Sequence, residues 1–180
     1  MRSLEKTLVL VGMMGAGKTS VGRRLANMLA VPFRDADAEI ELAAGCTINE
    51  IFERYGEPAF RDVERKVIAR LLGEPPHILA TGGGAFMDEG TRARIKENAI
   101  SIWLKAPIEL LLERVLRKDT RPLLRNTDRR SALERLLKER EPTYAQADIT
   151  IQSDDGPHDT AVKGIIAAIE ARHGPDGVRP

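Results

Sequence analysis

The chain has 180 residues, a net charge of +1 from 28 basic and 27 acidic side chains, and only 4% aromatic residues. A nucleic-acid-binding protein usually carries a strongly basic surface or aromatic side chains that stack on bases, so this composition argues against nucleic acid as a partner. No apolar run approaches the ~20 residues that cross a bilayer, which argues against a membrane protein. The length predicts a single domain over 1–180 that acts on a small molecule.

The single cysteine, Cys46, cannot form an internal disulfide, which suits a reducing compartment. Cys46 is either a small structural thiol or a nucleophile, and the sequence offers no obvious base partner for the second role. The first residues, MRSLEKTLVLVG, lack the long apolar core and cleavage site of a signal peptide. We therefore expect a cytoplasmic protein. We also expect it to be a monomer.

Short apolar segments alternate with longer helical patterns along the chain, which is typical of a parallel sheet. The first segment is apolar at successive positions, as expected for a strand that is covered on both faces. The sequence thus predicts an α/β fold, a three-layer α/β/α arrangement with a five-stranded parallel sheet. The predicted strands are 7–11, 32–35, 77–81, 100–105 and 149–152.

Apolar residues at helical spacing predict amphipathic helices around 21–29, 60–71, 111–116, 133–137 and 162–169. Thr47 and Glu50 have the spacing of a capping box, which predicts a short helix from there to Gly56. The charged stretch 117–130 lies between two helical patterns and is a candidate mobile flap, and we expect the tail, 174–180, to be frayed.

Residues 12–19, GMMGAGKT, match the phosphate-binding pattern G-x-x-x-x-G-K-[ST] between an apolar strand and an amphipathic helix. Glycines let backbone N–H groups turn toward phosphate oxygens, and the N-terminus of the helix favours the same anion. Lys18 would supply charge to the β- and γ-phosphates, and the Thr19 hydroxyl would bind Mg²⁺. A chance match is the alternative, against which the flanking elements argue. The predicted nucleotide-binding residues are Gly15, Ala16, Gly17, Lys18, Thr19 and Ser20.

Two carboxylates, Asp35 and Asp37, follow the second predicted strand, and ligands of open parallel sheets bind at the carboxyl ends of strands. Asp35 is a candidate ligand of Mg²⁺, directly or through water, and Asp37 could accept a proton from an attacking hydroxyl or only orient it. The structural alternative is an N-cap for a helix over 38–44, a position that favours aspartate.

Three consecutive glycines, Gly82, Gly83 and Gly84, follow the third predicted strand. Such a run costs conformational entropy, so it indicates either a close approach of another group to the backbone or a tight turn.

Taken in order, GMMGAGKTSVGRRLA, FRDAD, GEPAFRDVE, ATGGGA, TRPLL and REPTYAQAD resemble the shikimate kinase family over nearly the whole chain. The resemblance implies a nucleoside-monophosphate-kinase-like fold with a helical substrate-binding insertion at about 33–62 and a lid at about 114–127. It also implies transfer of the γ-phosphoryl group of ATP, with Mg²⁺, to the 3-hydroxyl of shikimate. That reaction belongs to the pathway to chorismate and the aromatic amino acids.

On this resemblance, Arg61 and Arg140 hold the carboxylate of shikimate in a bidentate clamp, and Asp37 contacts its hydroxyls. Glu64 lies one helical turn after Arg61 and can hold that guanidinium in position. The glycines at 82–84 match the substrate loop of the family. Without the resemblance, Arg61 could be a solvated helix charge and Arg140 a helix cap.

The resemblance also implies that Arg121 is a lid arginine that closes over the transferred phosphoryl group and that Arg114 stacks on adenine. Arg117 is a weaker candidate for the same region. The segment 153–159 matches the part that lines the adenine, and because Gly156 has no side chain we expect only backbone or hydrophobic contacts there.

Two other functions remain open from the residues alone. The same fold could serve a nucleoside-monophosphate or gluconate kinase, although no motif for a second base and phosphate stands out. The second open function is a nucleotide-dependent switch that has no small substrate. Such a switch would give no reason for Asp37, Arg61 and Arg140 to occur together.

Overall fold

The computed structural model describes residues 3–118, 128–173 and 178–179. The strands are β1 Ser3–Leu4, β2 Thr7–Val11, β3 Phe33–Asp35, β4 Ile78–Ala80, β5 Ala99–Lys105, β6 Ile149–Gln152 and β7 Val178–Arg179. The helices are α1 Lys18–Leu29, α2 Ala36–Ala44, α3 Ile48–Leu72, α4 Glu89–Asn98, α5 Ile108–Lys118, α6 Arg129–Tyr144 and α7 His158–His173. A short 3₁₀ helix, Ala85–Met87, precedes α4.

The main sheet has five parallel strands in the order β3-β4-β2-β5-β6, which confirms the predicted α/β fold and the predicted strands. The central strand β2 is buried along its whole length, as its unbroken apolar run requires for a strand covered on both faces. Since β3, β4 and β2 are adjacent and parallel, the segments that follow their carboxyl ends meet at one edge of the sheet. These segments contain Asp35, the three glycines and the phosphate-binding motif.

Helix α3 consists of two helical parts joined at Gly56, whose backbone angles of φ 81° and ψ 175° are not helical. The first part opens with the predicted capping box: the Glu50 N–H donates to the Thr47 hydroxyl at 3.1 Å, and the Thr47 N–H donates to the Glu50 carboxylate at 2.7 Å. A positive φ favours glycine, so this residue fixes where the helix changes direction. The second part carries Arg61 and Glu64.

Helix α2 begins at Ala36, two residues earlier than predicted, and its N-cap is Asp35. The Asp35 carboxylate accepts hydrogen bonds from the N–H groups of Asp37 at 3.0 Å and Ala38 at 3.4 Å. The structural alternative of the sequence analysis therefore applies to Asp35, while Asp37 lies inside the first turn of the helix.

The sequence analysis missed an antiparallel pair of two-residue strands, in which β1 pairs with β7. Val178–Arg179, within the tail expected to be frayed, pairs with Ser3–Leu4, which gives this backbone hydrogen-bond partners. Most of the predicted lid, including Arg121, lies outside the described residues, as does the rest of the tail. Among the helices that the structure describes, none has the length and apolar character needed to cross a membrane.

Candidate functional site

A cavity of about 470 Å³ opens at the carboxyl edge of the sheet, above the phosphate-binding motif. Five of the predicted nucleotide-binding residues line it: Gly15, Gly17, Lys18, Thr19 and Ser20. Asp35, Asp37 and Arg114 also line this cavity, which we call the donor cavity. Its wall thus combines the phosphate-binding loop and cationic groups with the three carboxylates of Asp35, Asp37 and Glu41.

The motif turns into helix α1 at Gly17, which has a left-handed conformation and caps the helix without a side-chain hydrogen bond. The N–H groups of the first helical turn therefore have no capping side chain, which favours an anion at this end. Lys18 is nearly buried, and its ammonium group donates to the carbonyl oxygens of Gly12 at 2.7 Å and Met13 at 2.8 Å. These hydrogen bonds hold the Lys18 side chain along the phosphate-binding loop.

Ala16, the sixth predicted nucleotide-binding residue, is fully buried behind the wall of the donor cavity. Its N–H donates to the Met13 carbonyl at 3.1 Å, and its carbonyl accepts a hydrogen bond from the Ser153 hydroxyl at 2.9 Å. The residue therefore stiffens the loop from behind.

Thr19 and Asp35 meet at the floor of the donor cavity, where the threonine hydroxyl donates to the Asp35 carboxylate at 2.9 Å. The other oxygen of the same carboxylate caps helix α2, so Asp35 is fixed from two sides. Hydroxyl and carboxylate oxygens are ligands that Mg²⁺ accepts. Across the described ranges, no group of three or more His, Cys, Asp or Glu side chains is placed to hold a metal ion.

Arg114 bridges the phosphate-binding motif and the segment before helix α7. Its guanidinium donates to the Gly15 carbonyl at 3.0 Å and to the Asp154 carbonyl at 3.3 Å. Arg117 also lines the donor cavity and pairs with Glu113 one turn earlier on the same helix. Both arginines therefore line the same cavity as the phosphate-binding motif.

His158, the first residue of α7, is a cavity residue that the sequence analysis missed. Its imidazole lies about one contact distance from Gly17, 3.7 Å from the position that a Cβ would take there. The segment 153–159 thus presents a titratable ring to the cavity, in addition to the backbone and hydrophobic contacts expected there. A histidine that directly follows Pro157 at a helix start was the available signal.

A second cavity, of about 260 Å³, has Gly84 of the triple-glycine loop in its wall and is called here the acceptor cavity. Arg61 and Arg140 both line it, although they are far apart in sequence and belong to helices α3 and α6. Glu57, Glu64 and Gly84 complete much of the wall. The structure thus brings the two predicted clamp arginines to one small cavity.

Arg61 is held by two carboxylates of its own helix, at 2.8 Å from Glu64 and 3.3 Å from Glu57. Burial lowers the pKa of Arg61, but the negative charges of Glu64 and Glu57 outweigh it, so its pKa is raised and the guanidinium stays charged. For Glu64, burial raises the pKa more than the Arg61 guanidinium lowers it. The pair therefore places one firmly charged cation beside a carboxyl that is costly to bury.

Two side-chain atoms at the acceptor cavity are buried and have no hydrogen-bond partner within the described part of the chain, Glu64 Oε2 and Arg140 Nη1. A buried polar group without a partner costs free energy, roughly 1–3 kcal/mol and more when the group is charged. Such atoms are consistent with a polar ligand that supplies the missing hydrogen bonds.

The three glycines pass close to four charged side chains. A Cβ at Gly82 would lie 3.0 Å from Asp37 Oδ1 and 3.2 Å from Glu64 Oε2, and one at Gly83 would lie 3.2 Å from Arg140 Nη1. At Gly84 a Cβ would overlap the Arg61 guanidinium, at 2.7 Å from its central carbon. Close approach, rather than a tight turn alone, therefore explains the run of glycines.

A model of the shikimate kinase family matches residues 14–170. The chain belongs to the shikimate kinase family. It is 60% identical over 168 residues to a shikimate kinase of Caulobacter vibrioides, covering 93% of this chain and 84% of that protein. It is 57% identical over 166 residues to a shikimate kinase of Bradyrhizobium diazoefficiens, covering 92% of this chain and 80% of that protein.

Among solved structures, a shikimate kinase from Acinetobacter baumannii in complex with shikimate superposes with a TM-score of 0.91 at 40% identity, covering 94% of this chain and 95% of that one. A gluconokinase from Sinorhizobium meliloti gives a TM-score of 0.61 at 19% identity, over 95% of this chain and 94% of that one. That second likeness shows the fold alone, so the gluconate kinase alternative has no support beyond the fold.

We predict that His158 titrates below its ordinary value of 6.5 in the folded protein. Burial lowers its pKa, and the charges of Arg114 and Arg24 lower it further, while Asp159 opposes them. NMR titration of the imidazole carbon-bound protons should give a midpoint below 6.5, and the urea-unfolded chain should return to about the ordinary value.

Between the two midpoints the unfolded chain binds more protons than the folded one. His158 therefore makes the folded state more stable as pH rises through that window, and less stable below it. A folded-state midpoint at or above 6.5 would contradict this prediction.

Proposed function

We infer that this chain is an ATP-dependent kinase that phosphorylates the 3-hydroxyl of shikimate, giving shikimate 3-phosphate and ADP on the pathway to chorismate and the aromatic amino acids. Membership of the shikimate kinase family supports this inference. The observation that supports it at the site is that Arg61 and Arg140 line one cavity, while Asp37, which lines the donor cavity, lies beside Gly82 of the triple-glycine loop whose Gly84 lines the arginine cavity.

On the donor side, we propose that the backbone amides of 15–20 bind the phosphates of ATP and that Lys18 neutralises the β- and γ-phosphates. Lys18 would exchange its bonds to the Gly12 and Met13 carbonyls for phosphate oxygens, which lie on the open side of the same loop. Arg114 is proposed to stack on the adenine, since it already spans the cavity between Gly15 and Asp154.

We propose that Thr19 and Asp35 hold Mg²⁺, Thr19 by its hydroxyl and Asp35 directly or through water. This ion usually takes few protein ligands and fills its other positions with water and substrate phosphates, which fits one hydroxyl and one carboxylate. When bound, Mg²⁺ supplies neutralising charge to the phosphate oxygens. The hydrogen bond between Thr19 and Asp35 keeps the two oxygens together beforehand.

On the acceptor side, Arg61 and Arg140 are proposed to bind the single carboxylate of shikimate. Two guanidinium groups can bind it through several N–H donors, which fixes the direction of the ring as well as its position. Arg140 has a buried Nη1 without a partner within the described residues, and Glu64 prevents Arg61 from turning away. Backbone groups of Gly82, Gly83 and Gly84 complete the proposed binding site.

Asp37 is the group that we propose for the reacting hydroxyl, because it lines the donor cavity and also faces Gly82 of the acceptor loop. The hydroxyl oxygen attacks the γ-phosphorus while the bond from that phosphorus to the β–γ bridging oxygen breaks, and ADP leaves. The hydroxyl proton passes to Asp37. Alignment of donor and acceptor supplies most of the rate acceleration in such transfers.

The lid at about 114–127 and its Arg121 lie mostly outside the described residues, and their role is a proposal from the family resemblance. Arg121 would add positive charge to the β- and γ-phosphate oxygens, and closure would exclude water that could hydrolyse ATP. The insertion at about 33–62 remains the proposed substrate-binding region. We also propose a cytoplasmic monomer that needs neither nucleic acid nor a membrane, which gel filtration with light scattering and cell fractionation can check.

The direct test is incubation with MgATP and shikimate, followed by mass measurement of the product. We expect one added phosphoryl group on shikimate and an equal amount of ADP. Gluconate and nucleoside monophosphates serve as matched acceptors, and we expect no comparable ADP release with either. Turnover of one of these in place of shikimate would contradict the proposal, and failure to bind or turn over any of them would favour a nucleotide-dependent switch.

We predict that Asp37→Asn lowers kcat at least ~100-fold while shikimate still binds, since an amide keeps the shape but cannot take the proton. Steady-state kinetics and calorimetric titration with shikimate separate the two effects. Glu170→Gln, an exposed carboxylate-to-amide change on α7, is the control and should match the unaltered chain. A loss of shikimate affinity with kcat preserved would instead make Asp37 a residue that only orients the hydroxyl.

A further inference from the structure

Tyr144 is a fully buried hydroxyl-bearing residue to which the proposed mechanism gives no role. It ends helix α6, one turn after Arg140, and its ring stacks on Trp103 with centroids 5.8 Å apart. Burial raises the pKa of Tyr144 to about 12, although the charge of Arg140 opposes this. The phenol is therefore neutral at any pH at which the protein works, and it can donate one hydrogen bond.

That hydrogen bond goes to the carbonyl oxygen of Gly83, in the middle of the triple-glycine loop. The same hydroxyl lies 3.8 Å from the sulfur of Met13 in the phosphate-binding motif. One buried atom of α6 thus contacts the loops on both sides of the site. Because Gly83 is itself buried, loss of this donor would deprive a buried carbonyl of a hydrogen bond, which the loop could relieve only by moving.

The position of Gly83 determines how much space the residues packed against it have. Its α-carbon lies so close to Arg140 that a Cβ there would be 3.2 Å from the guanidinium, and 3.3 Å from the backbone nitrogen of Met14. Arg140 and Tyr144 lie four residues apart on one helix and so project from the same face. A shift of the loop would therefore change the space available to Arg140 and the spacing between the two cavities.

We propose that Tyr144 is a positioning residue for the acceptor: its hydroxyl holds the Gly83 carbonyl and so fixes the triple-glycine loop and Arg140 in the geometry that binds the substrate carboxylate and ring. It acts through these neighbours and does not touch the reacting atoms. The inference rests on the proposed function and extends it to a residue outside both cavities. Removal of the Tyr144 hydroxyl should affect the acceptor cavity selectively, because the donor cavity keeps its own hydrogen bonds around Lys18, Thr19 and Arg114.

The test is Tyr144→Phe, which removes the hydroxyl and keeps the ring that packs on Trp103. We expect the KM for shikimate to rise about tenfold and the KM for ATP to stay within about twofold, a split that general loosening of the fold does not produce. The matched control is Ser101→Ala. It deletes another buried hydroxyl, which exchanges hydrogen bonds of 2.9 Å with Asp148 away from both cavities, so it should lower Tm and leave the KM for shikimate unchanged.

An unchanged KM for shikimate in Tyr144→Phe, or equal rises in both KM values, would overturn the proposal. Should the variant fail to fold, the unaltered sequence with 3-fluorotyrosine at both tyrosines gives a second test by ¹⁹F NMR. Shikimate should shift the Tyr144 signal, and a signal that does not move would overturn the proposal. No turnover of shikimate by the unaltered chain would refute the proposed function itself, whereas normal turnover with an unchanged variant refutes only the role of Tyr144.

Discussion

The site depends on the close approach of one stretch of backbone to four charged side chains. A Cβ at Gly82 would crowd Asp37 and Glu64, one at Gly83 would crowd Arg140, and one at Gly84 would overlap Arg61. None of the three glycines has a positive φ, so they serve for space rather than for an unusual backbone conformation. A side chain at Gly84 would require the Arg61 guanidinium to move from its present position.

Parallel strands put the phosphate-binding motif, Asp35 and the glycines at one edge of the sheet. Asp37 lines the donor cavity and lies close to Gly82, while Gly84 lines the acceptor cavity. The two cavities are therefore neighbours at this edge. In-line transfer between two bound substrates needs such proximity, because donor and acceptor atoms must come within roughly 3–3.5 Å.

Charge at the acceptor cavity is balanced only in part. Arg61 is neutralised by Glu64 and Glu57, whereas Arg140 presents a buried nitrogen without a partner in the described ranges. A buried guanidinium is stable only when hydrogen-bonded acceptors surround it, so an incoming carboxylate relieves a cost that the protein carries before binding.

The sequence alone was sufficient to predict the features that depend on local patterns. Apolar runs located the five parallel strands, and the capping box at Thr47 with the break at Gly56 located the two parts of α3. Features that depend on distant contacts were missed: the pairing of β1 with β7 joins the two ends of the chain, and the bond from Tyr144 to Gly83 spans 61 residues. The Asp35 carboxylate caps helix α2 and also accepts the hydrogen bond of the Thr19 hydroxyl, whereas the sequence analysis treated the cap as an alternative to a functional role. His158 was missed because its approach to Gly17 is a contact between distant parts of the chain.

The most direct test of the account is a crystal structure of this chain with MgADP and shikimate bound together. The account predicts the shikimate carboxylate between Arg61 and Arg140, with a ring hydroxyl within hydrogen-bond distance of Asp37 and directed toward the β-phosphate. A complex in which both arginines turn away from the ring acid would contradict it, even with the nucleotide seated on the phosphate-binding motif.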